Sequence, residues 1–268
     1  MDLQFLKAEA FFDLESFEHS SIFEHCDLVW EGLGNLAPYL KQHLHGNVRA
    51  VDCFRRPLPQ TIVLWKGRVW LDGFEFLGGD VTKGSFLIRI LGEEVADATI
   101  LYGGSVLWDD QIYLGAGSVV EPGALIQGPT IIGSNTEVRQ GAYVRGKCII
   151  GNSCVVGHTT EVKSSIMLNN AKAGHFAYLG DSILGNDTNL GAGTKLANLK
   201  IKPGTVSVRY GEGSIDTGLR KFGAILGDHV EIGCNAVTNP GSVLAKGCLV
   251  FPVTSVPSGY HEPRSVLR

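Results

Sequence analysis

The chain has 268 residues, a formal net charge of -4 and a pI near 6.1, which allows one large domain or one domain with a smaller companion. That balance gives no global footprint for nucleic acid or an anionic membrane, so any anion site must be local. No apolar run of about eighteen residues suggests a membrane span, and the opening Met1-Asp2-Leu3-Gln4 lacks the regions of a signal peptide, so the expectation is a cytoplasmic protein.

Residues 1–95 show no short repeat and read as a small α+β cap. Leu28, Val29, Leu33, Leu36 and Leu40 recur at helical spacing, predicting one or two helices between Cys26 and Leu44 with an interruption near Pro38. Thr61 to Trp65 and Arg68 to Leu71 flank Lys66-Gly67, which predicts a β-hairpin. The aromatics of this part, Trp30, Trp65 and Trp70 among them, read most simply as its core. A doubly wound nucleotidyltransferase domain would need a Gly-rich phosphate loop and a longer chain, and neither is here.

Coils are expected from about Thr99, and from Leu114 a six-residue spacing governs the sequence. Counting by six meets Val120, Ile126, Ile132, Val138, Val144, Ile150, Val156, Val162 and Leu168. A second column of small residues lies four positions after each of the first eight aliphatics: Ser118, Ala124, Thr130, Thr136, Ala142, Cys148, Cys154 and Thr160. Six residues are too few for a helix and suit one short strand plus one corner, the aliphatic pointing inward. Gly115, Gly133, Asn135, Gly151, Asn152 and Gly157 sit where corners need a positive φ. Three units close a triangular coil of roughly eighteen residues, and such coils stack as parallel strands about 4.8 Å apart. The prediction is an all-β fold, a parallel β-helix of roughly eight coils over 96–256. Cys148 and Cys154 belong to the small inward column and read as packing.

After Leu168 the phase slips, and clean hexads return at Leu184, Leu190 and Leu196, so a departure from the coil is expected across Lys172 to Asp181. Departures from a regular repeat are where function concentrates. An insertion at 199–223 carries Lys200, Lys202, Arg209, Arg220 and Lys221, and insertions of this kind tend to project on a binding face. Hexads resume from Leu226, and a tail over 257–268 is expected to leave the coil.

Arg145 and Lys163 each follow a column aliphatic and are eighteen apart, so the coil stacks two cations on one corner. Like charges at strand spacing repel unless compensated, either by a bound phosphate or by a neighbour such as Glu161. His175 lies in the slip between Gly174 and Tyr178. Histidine is suited to taking a proton from an attacking amine near neutral pH, although a lone histidine is more often structural. His158 lies about one coil earlier, but a third histidine at close spacing is missing, so no metal is expected.

The run Lys172-Ala173-Gly174-His175-Phe176-Ala177-Tyr178-Leu179-Gly180-Asp181, followed by Asn189-Leu190-Gly191-Ala192-Gly193-Thr194, resembles the acetyltransferase half of the bifunctional bacterial N-acetylglucosamine-1-phosphate uridyltransferase/glucosamine-1-phosphate acetyltransferase family. The likeness is dense from about Arg145 to Asn198 and absent from 1–95. It implies a left-handed coil, a homotrimer with sites between subunits, acetyl-CoA as donor and a small sugar phosphate as acceptor. It further implies His175 as general base, Arg145 and Lys163 on the sugar phosphate, Tyr178 and Asn189 on the sugar, Asn198 at the reacting groups and the Ala192 backbone at acetyl-CoA. The coenzyme side departs from the family. Asn198-Leu199-Lys200-Ile201 stands where Asn-Tyr-Asp-Gly is expected, Cys234 takes the place of a serine near the thioester, and Phe251-Pro252-Val253 replaces Ala-Ala-Gly. The expected function is acyl-CoA-dependent N-acetylation of an amino-sugar phosphate. The alternatives are a non-catalytic sugar-nucleotide-binding or regulatory module, or a partner of a separate nucleotidyltransferase chain docked on 1–95.

Overall fold

The computed structural model describes residues 3–268, so Met1 and Asp2, the first positions of the expected cap, lie outside the described residues. From Thr99 onward the chain winds as a parallel β-helix with three flat faces. Face I carries Glu137–Val138, Val155–His158, Lys172–His175, Asn189–Leu190 and Glu231–Ile232. Face II carries Tyr143–Arg145, Glu161–Lys163, Tyr178–Gly180 and Lys195–Leu196. Face III carries Cys148–Ile150, Ile166–Met167, Ile183–Leu184 and Ala224–Leu226. Faces II and III each hold eight strands, as the hexads predict. Each aliphatic of the column is shielded because the coils above and below cover it, and burial of such a side chain is worth about 1.5–3 kcal/mol.

The corners work differently from the sequence expectation. Gly115, Gly133, Gly151 and Gly157 do not take positive φ. A Cβ on Gly133 would lie 2.6 Å from Gly151 carbonyl carbon, and one on Gly157 would lie 1.7 Å from Gly174 O. These glycines are needed because successive coils approach too closely for a side chain. Of the expected positions Asn135 does take positive φ and Asn152 does not, and the other corners place it on residues such as Ser153, Asn170 and Asp187. The small column closes the gaps between coils: Thr136 Oγ1 donates to Gly151 O at 2.8 Å and Cys154 Sγ to Leu168 O at 3.0 Å.

The phase slip is real but lies earlier than expected. Val144 pairs with Val162 at the full repeat, whereas Ile150 pairs with Met167, one residue short. Met167 therefore faces the interior, and Leu168 joins the apolar layer outside face III. One residue is missing from the corner after Lys163, and the next coil repeats the omission after Gly180, where Ile183 pairs with Ile166. Residues 172–181 stay in the coil, paired throughout with the strands below. In the third coil the same corner, between faces II and III, gives rise to the insertion after Asn198. The insertion forms the hairpin Ser207–Tyr210 and Gly213–Asp216, buries Val206, Val208 and Phe222, and rejoins the coil at Ala224.

The N-terminal part does more than cap. Its helices, with Glu31–His43 the longest, lie along face III and bury Phe11, Ile22, Trp30 and Leu40 against Ile131, Ile149, Ile166, Ile183, Ile225 and Val243. That helix runs through Pro38 without interruption, because Pro38 is on the exposed side, where the unpaired Gly34 carbonyl faces water. The predicted hairpin is present as Ile62–Trp65 and Arg68–Trp70 and closes the end of face I against Thr99–Leu101. A meander of Phe74–Gly78, Leu87–Ile90 and Glu93–Val95 packs on the lower coils of face I. At the other end, Gly259–His261 and Val266–Leu267 pair in parallel with Ser242–Leu244 and Leu249–Val250. The segment expected to leave as a tail is thus part of the coil. Among the described residues, no helix is long and apolar enough to cross a membrane.

Candidate active site

The residues singled out from the sequence fall into two clusters on either side of face II. The first is at the shortened corner between faces II and III. Arg145 and Lys163 stack as expected, since Tyr143 and Val144 lie beneath Glu161 and Val162. Each has an acidic partner of its own: Arg145 Nη1 donates to Glu161 Oε1 at 2.6 Å, and Lys163 Nζ to Asp181 Oδ2 at 2.8 Å. Asp181 also accepts from Asn198 Nδ2, and Asn198 Oδ1 accepts from the Tyr178 hydroxyl at 3.3 Å. Burial pushes the Tyr178 hydroxyl above its ordinary pKa, with Lys163 pulling partly the other way, so the group stays protonated and can donate. Lys163, Tyr178, Asp181 and Asn198 form one continuous network, which fixes the Asn198 amide. The Glu161 hydrogen bond holds the Arg145 guanidinium above its ordinary value.

The second cluster is at the corner between faces I and II, where His158, His175, Ala192 and Cys234 succeed one another in stacked coils. The two histidines differ in their surroundings. His158 Nδ1 lies 2.9 Å from Gln140 O and Nε2 lies 3.2 Å from Thr159 Oγ1. The His175 ring is exposed, and among the described residues it has no hydrogen-bond partner. The following residue, Phe176, takes φ 53° and packs edge-on against His158 with ring centroids 5.3 Å apart, which sets the path of the chain past the imidazole. Asn189 is on face I directly above Lys172, and its Nδ2 donates to Glu231 Oε2 at 3.0 Å. Cys234 is exposed.

His175 also lines a groove of about 580 Å³ along face I, with Glu137, Arg139, Lys172 and Asn189 on the floor and Asp80 and Thr82 from the meander on the rim. Nothing in the sequence pointed to the 79–82 turn, because it reaches this place only through packing of residues far apart in the chain. Within one chain the two cations and His175 lie at opposite edges of face II. A three-residue strand and its corners separate them, on the order of 10 Å or more. The reason is the corner itself, since His175 precedes the turn onto face II whereas Arg145 and Lys163 are at its far edge.

Comparisons with known proteins find sequence relatives along the coil. The family model described as the GMPPB C-terminal domain matches residues 126–265, more than half of the chain. A bifunctional sugar-1-phosphate nucleotidylyltransferase/acetyltransferase from Sulfurisphaera tokodaii is 37% identical over 109 residues, covering 40% of this chain and 27% of that protein. The bifunctional protein GlmU of Methanococcus vannielii is 39% identical over 103 residues, 35% of this chain and 24% of that one. The chain thus spans about a quarter of the length of these two relatives. An uncharacterized acetyltransferase, YaiX, from Escherichia coli is 34% identical over 161 residues, 59% of this chain and 70% of its own length. Among solved structures, UDP-N-acetylglucosamine acyltransferase from Campylobacter jejuni matches 63% of this chain and 73% of its own, with a TM-score of 0.41 and 16% identity. By the extent of the family match, the chain belongs to the GMPPB C-terminal domain family, and by the extent of the YaiX alignment it is a relative of that acetyltransferase.

Proposed function

We propose that the chain transfers an acetyl group from acetyl-CoA to the amine of a sugar phosphate of the glucosamine-1-phosphate kind. The observation that carries this reading is the free imidazole of His175, beside a groove lined by Lys172 and Asn189, at a corner whose next rungs are the small residues Ala192 and Cys234. Small side chains there leave room for a long, narrow thioester arm, so the residues present fit the donor. When bound, acetyl-CoA supplies the activated acyl carbonyl. His175 takes the proton released as the amine nitrogen bonds to that carbon and the thiolate leaves, a role worth about 10²–10⁴-fold. Arg145, with 42% of its side chain exposed against 16% for Lys163, is the cation open to the sugar phosphate, which must displace Glu161. Lys163 is a positioning residue: it holds Asp181, which holds the Asn198 amide. Tyr178 and Asn189 contact the sugar from faces II and I. Because one chain keeps its base and its cations apart, the reacting site is shared between neighbouring subunits of a homotrimer.

A panel of amino-sugar phosphates assayed for free CoA thiol tests this reading. The wild type is expected to release thiol, and His175→Ala to lower kcat/KM by about 10²–10⁴-fold. Near-normal turnover in that variant rejects the assignment. The internal pairing of both Arg145 and Lys163 favours a second reading, a non-catalytic sugar-nucleotide-binding module. Calorimetry showing sugar-nucleotide binding with no thiol release from any acceptor would select it.

A further inference from the structure

A cleft of about 740 Å³ opens at the root of the insertion, beside Asn198, between Ala197, Lys200, Lys202 and Arg209 on one side and Asn239 and Pro257 on the other. Its wall is built, since Val206 of the insertion, which lines it, is buried. Its charge is one-sided. Lys200 is tied back, its Nζ donating to Thr205 O at 2.8 Å. The nearby carboxylate, Asp216, is held by Gly218 N and Thr205 Oγ1, and these hydrogen bonds, with Lys200 adding to them, keep its pKa low. Lys202 and Arg209 are exposed and, among the described residues, have no carboxylate partner. This reverses the situation at Arg145 and Lys163, whose charges are already matched. The rim is apolar: Leu199 is 51% exposed and Ile201 fully so. Two exposed aliphatics side by side with unmatched cations offer an apolar face for a flat ring next to donors for phosphate oxygens.

The geometry points to a nucleotide site, in which Lys202 and Arg209 hold a diphosphate and Ile201 packs on the base. The volume suits such a ligand, since pockets for ligands of this size run to about 300–1,000 Å³. Two sources share this chemistry, the adenosine diphosphate end of a coenzyme A donor and the nucleoside diphosphate of a sugar nucleotide. The proximity to Asn198 ties the site to the acyl-transfer reading, but binding does not require that reading to hold.

Isothermal titration of the full chain with ADP, adenosine 3′,5′-bisphosphate, UDP, pyrophosphate and orthophosphate tests the site. The wild type is expected to bind at least one nucleotide about tenfold more tightly than pyrophosphate. The Lys202→Ala/Arg209→Ala variant is expected to lose at least about tenfold, with a shallower dependence on salt. Ile201→Ser is expected to weaken the nucleotides but not pyrophosphate. Preference for the adenine or the uracil ligands identifies the source. Unchanged affinity in the double variant, or no nucleotide binding by the wild type at millimolar concentration, overturns the site. Because the three side chains are exposed, an unchanged thermal midpoint shows that lost affinity is not lost folding. Nucleotide binding that survives in a protein without acyl transfer leaves this site standing and removes the acetylation reading, and the opposite pair of results does the reverse.

Discussion

Lys163 and Asp181 meet at 2.8 Å with 16% and 17% of their side chains exposed, whereas Arg145 and Glu161 meet at 2.6 Å with 42% and 33% exposed. The same pair of charges therefore does two kinds of work. In water an ion pair is worth under about 1 kcal/mol, so the Arg145 pair is weak enough to exchange Glu161 for a substrate phosphate. In the more enclosed pair, removing one partner leaves a charge with too little solvent to compensate. Lys163→Met is expected to lower unfolding free energy by about 1–3 kcal/mol, since Asp181 keeps only the Asn198 amide. Adding Asp181→Asn to Lys163→Met should recover part of that loss, because an amide needs no counter-charge. Urea unfolding of wild type, both single variants and the double variant gives the coupling directly. A coupling near zero would mean that Lys163 does not hold the corner, and the route from Lys163 through Asp181 to Asn198 would fail with it.

At the scale of strand and corner, Gly157 and Gly174 occupy equivalent places in successive coils, yet only one of them is constrained. A methyl group on Gly157 would lie 1.7 Å from Gly174 O, whereas one on Gly174 would meet nothing within 4 Å. Gly157→Ala is therefore expected to cost about 3 kcal/mol or more and to disturb the strand that carries His175, while Gly174→Ala stays within about 0.5 kcal/mol of wild type. Thermal and urea midpoints compare the two, and equal values would contradict the coil spacing. The hexad column itself was readable in the sequence because the side-chain period and the coil period coincide. The slip was misplaced for an equally physical reason: the deleted residue lies at a corner, and Leu168 directly follows Met167, so an aliphatic still stood at the sixth position after the true inward residue had moved back by one. His175 was legible as part of a dense local string. Its separation from Arg145 and Lys163 was not, because which side of a corner a residue occupies depends on where each strand stops. The acidic partners were half legible, Glu161 by its adjacency to the cation column and Asp181 by lying eighteen residues after Lys163, although the shortened repeat sets Gly180 directly on Lys163 and Asp181 one residue further along the corner. The 79–82 turn is joined to the groove by packing alone and left no sequence signal.

Across the whole molecule, the three faces of the coil are not equally available. Face III is covered by the helical layer of residues 3–44 and by the insertion, which together bury Ile149, Ile166, Ile183 and Ile225. The lower coils of face I are covered by the 74–95 meander, whose Ile88, Ile90 and Val95 pack with Ile100 and Val119. Face II and the corner bearing His175 are left open, and these carry the two halves of the proposed site. A cyclic trimer that brings face II of one copy to the His175 corner of the next would unite the base with the cations, and closed symmetry makes all three sites alike. Light scattering should then give a mass near three times the 28.8 kDa chain. The sharper test is complementation. His175→Ala lacks the base and Arg145→Ala lacks the phosphate contact, so each homotrimer is expected to be nearly inactive. When the two are unfolded together and refolded as a mixture, about one site in four receives His175 from one variant and Arg145 from the other if subunits assort at random. Recovery of about a quarter of wild-type activity is the expected result. No recovery from a mixture shown by mass spectrometry to contain mixed trimers would place both residues in service of the same chain's site, and the arrangement between subunits would have to be abandoned.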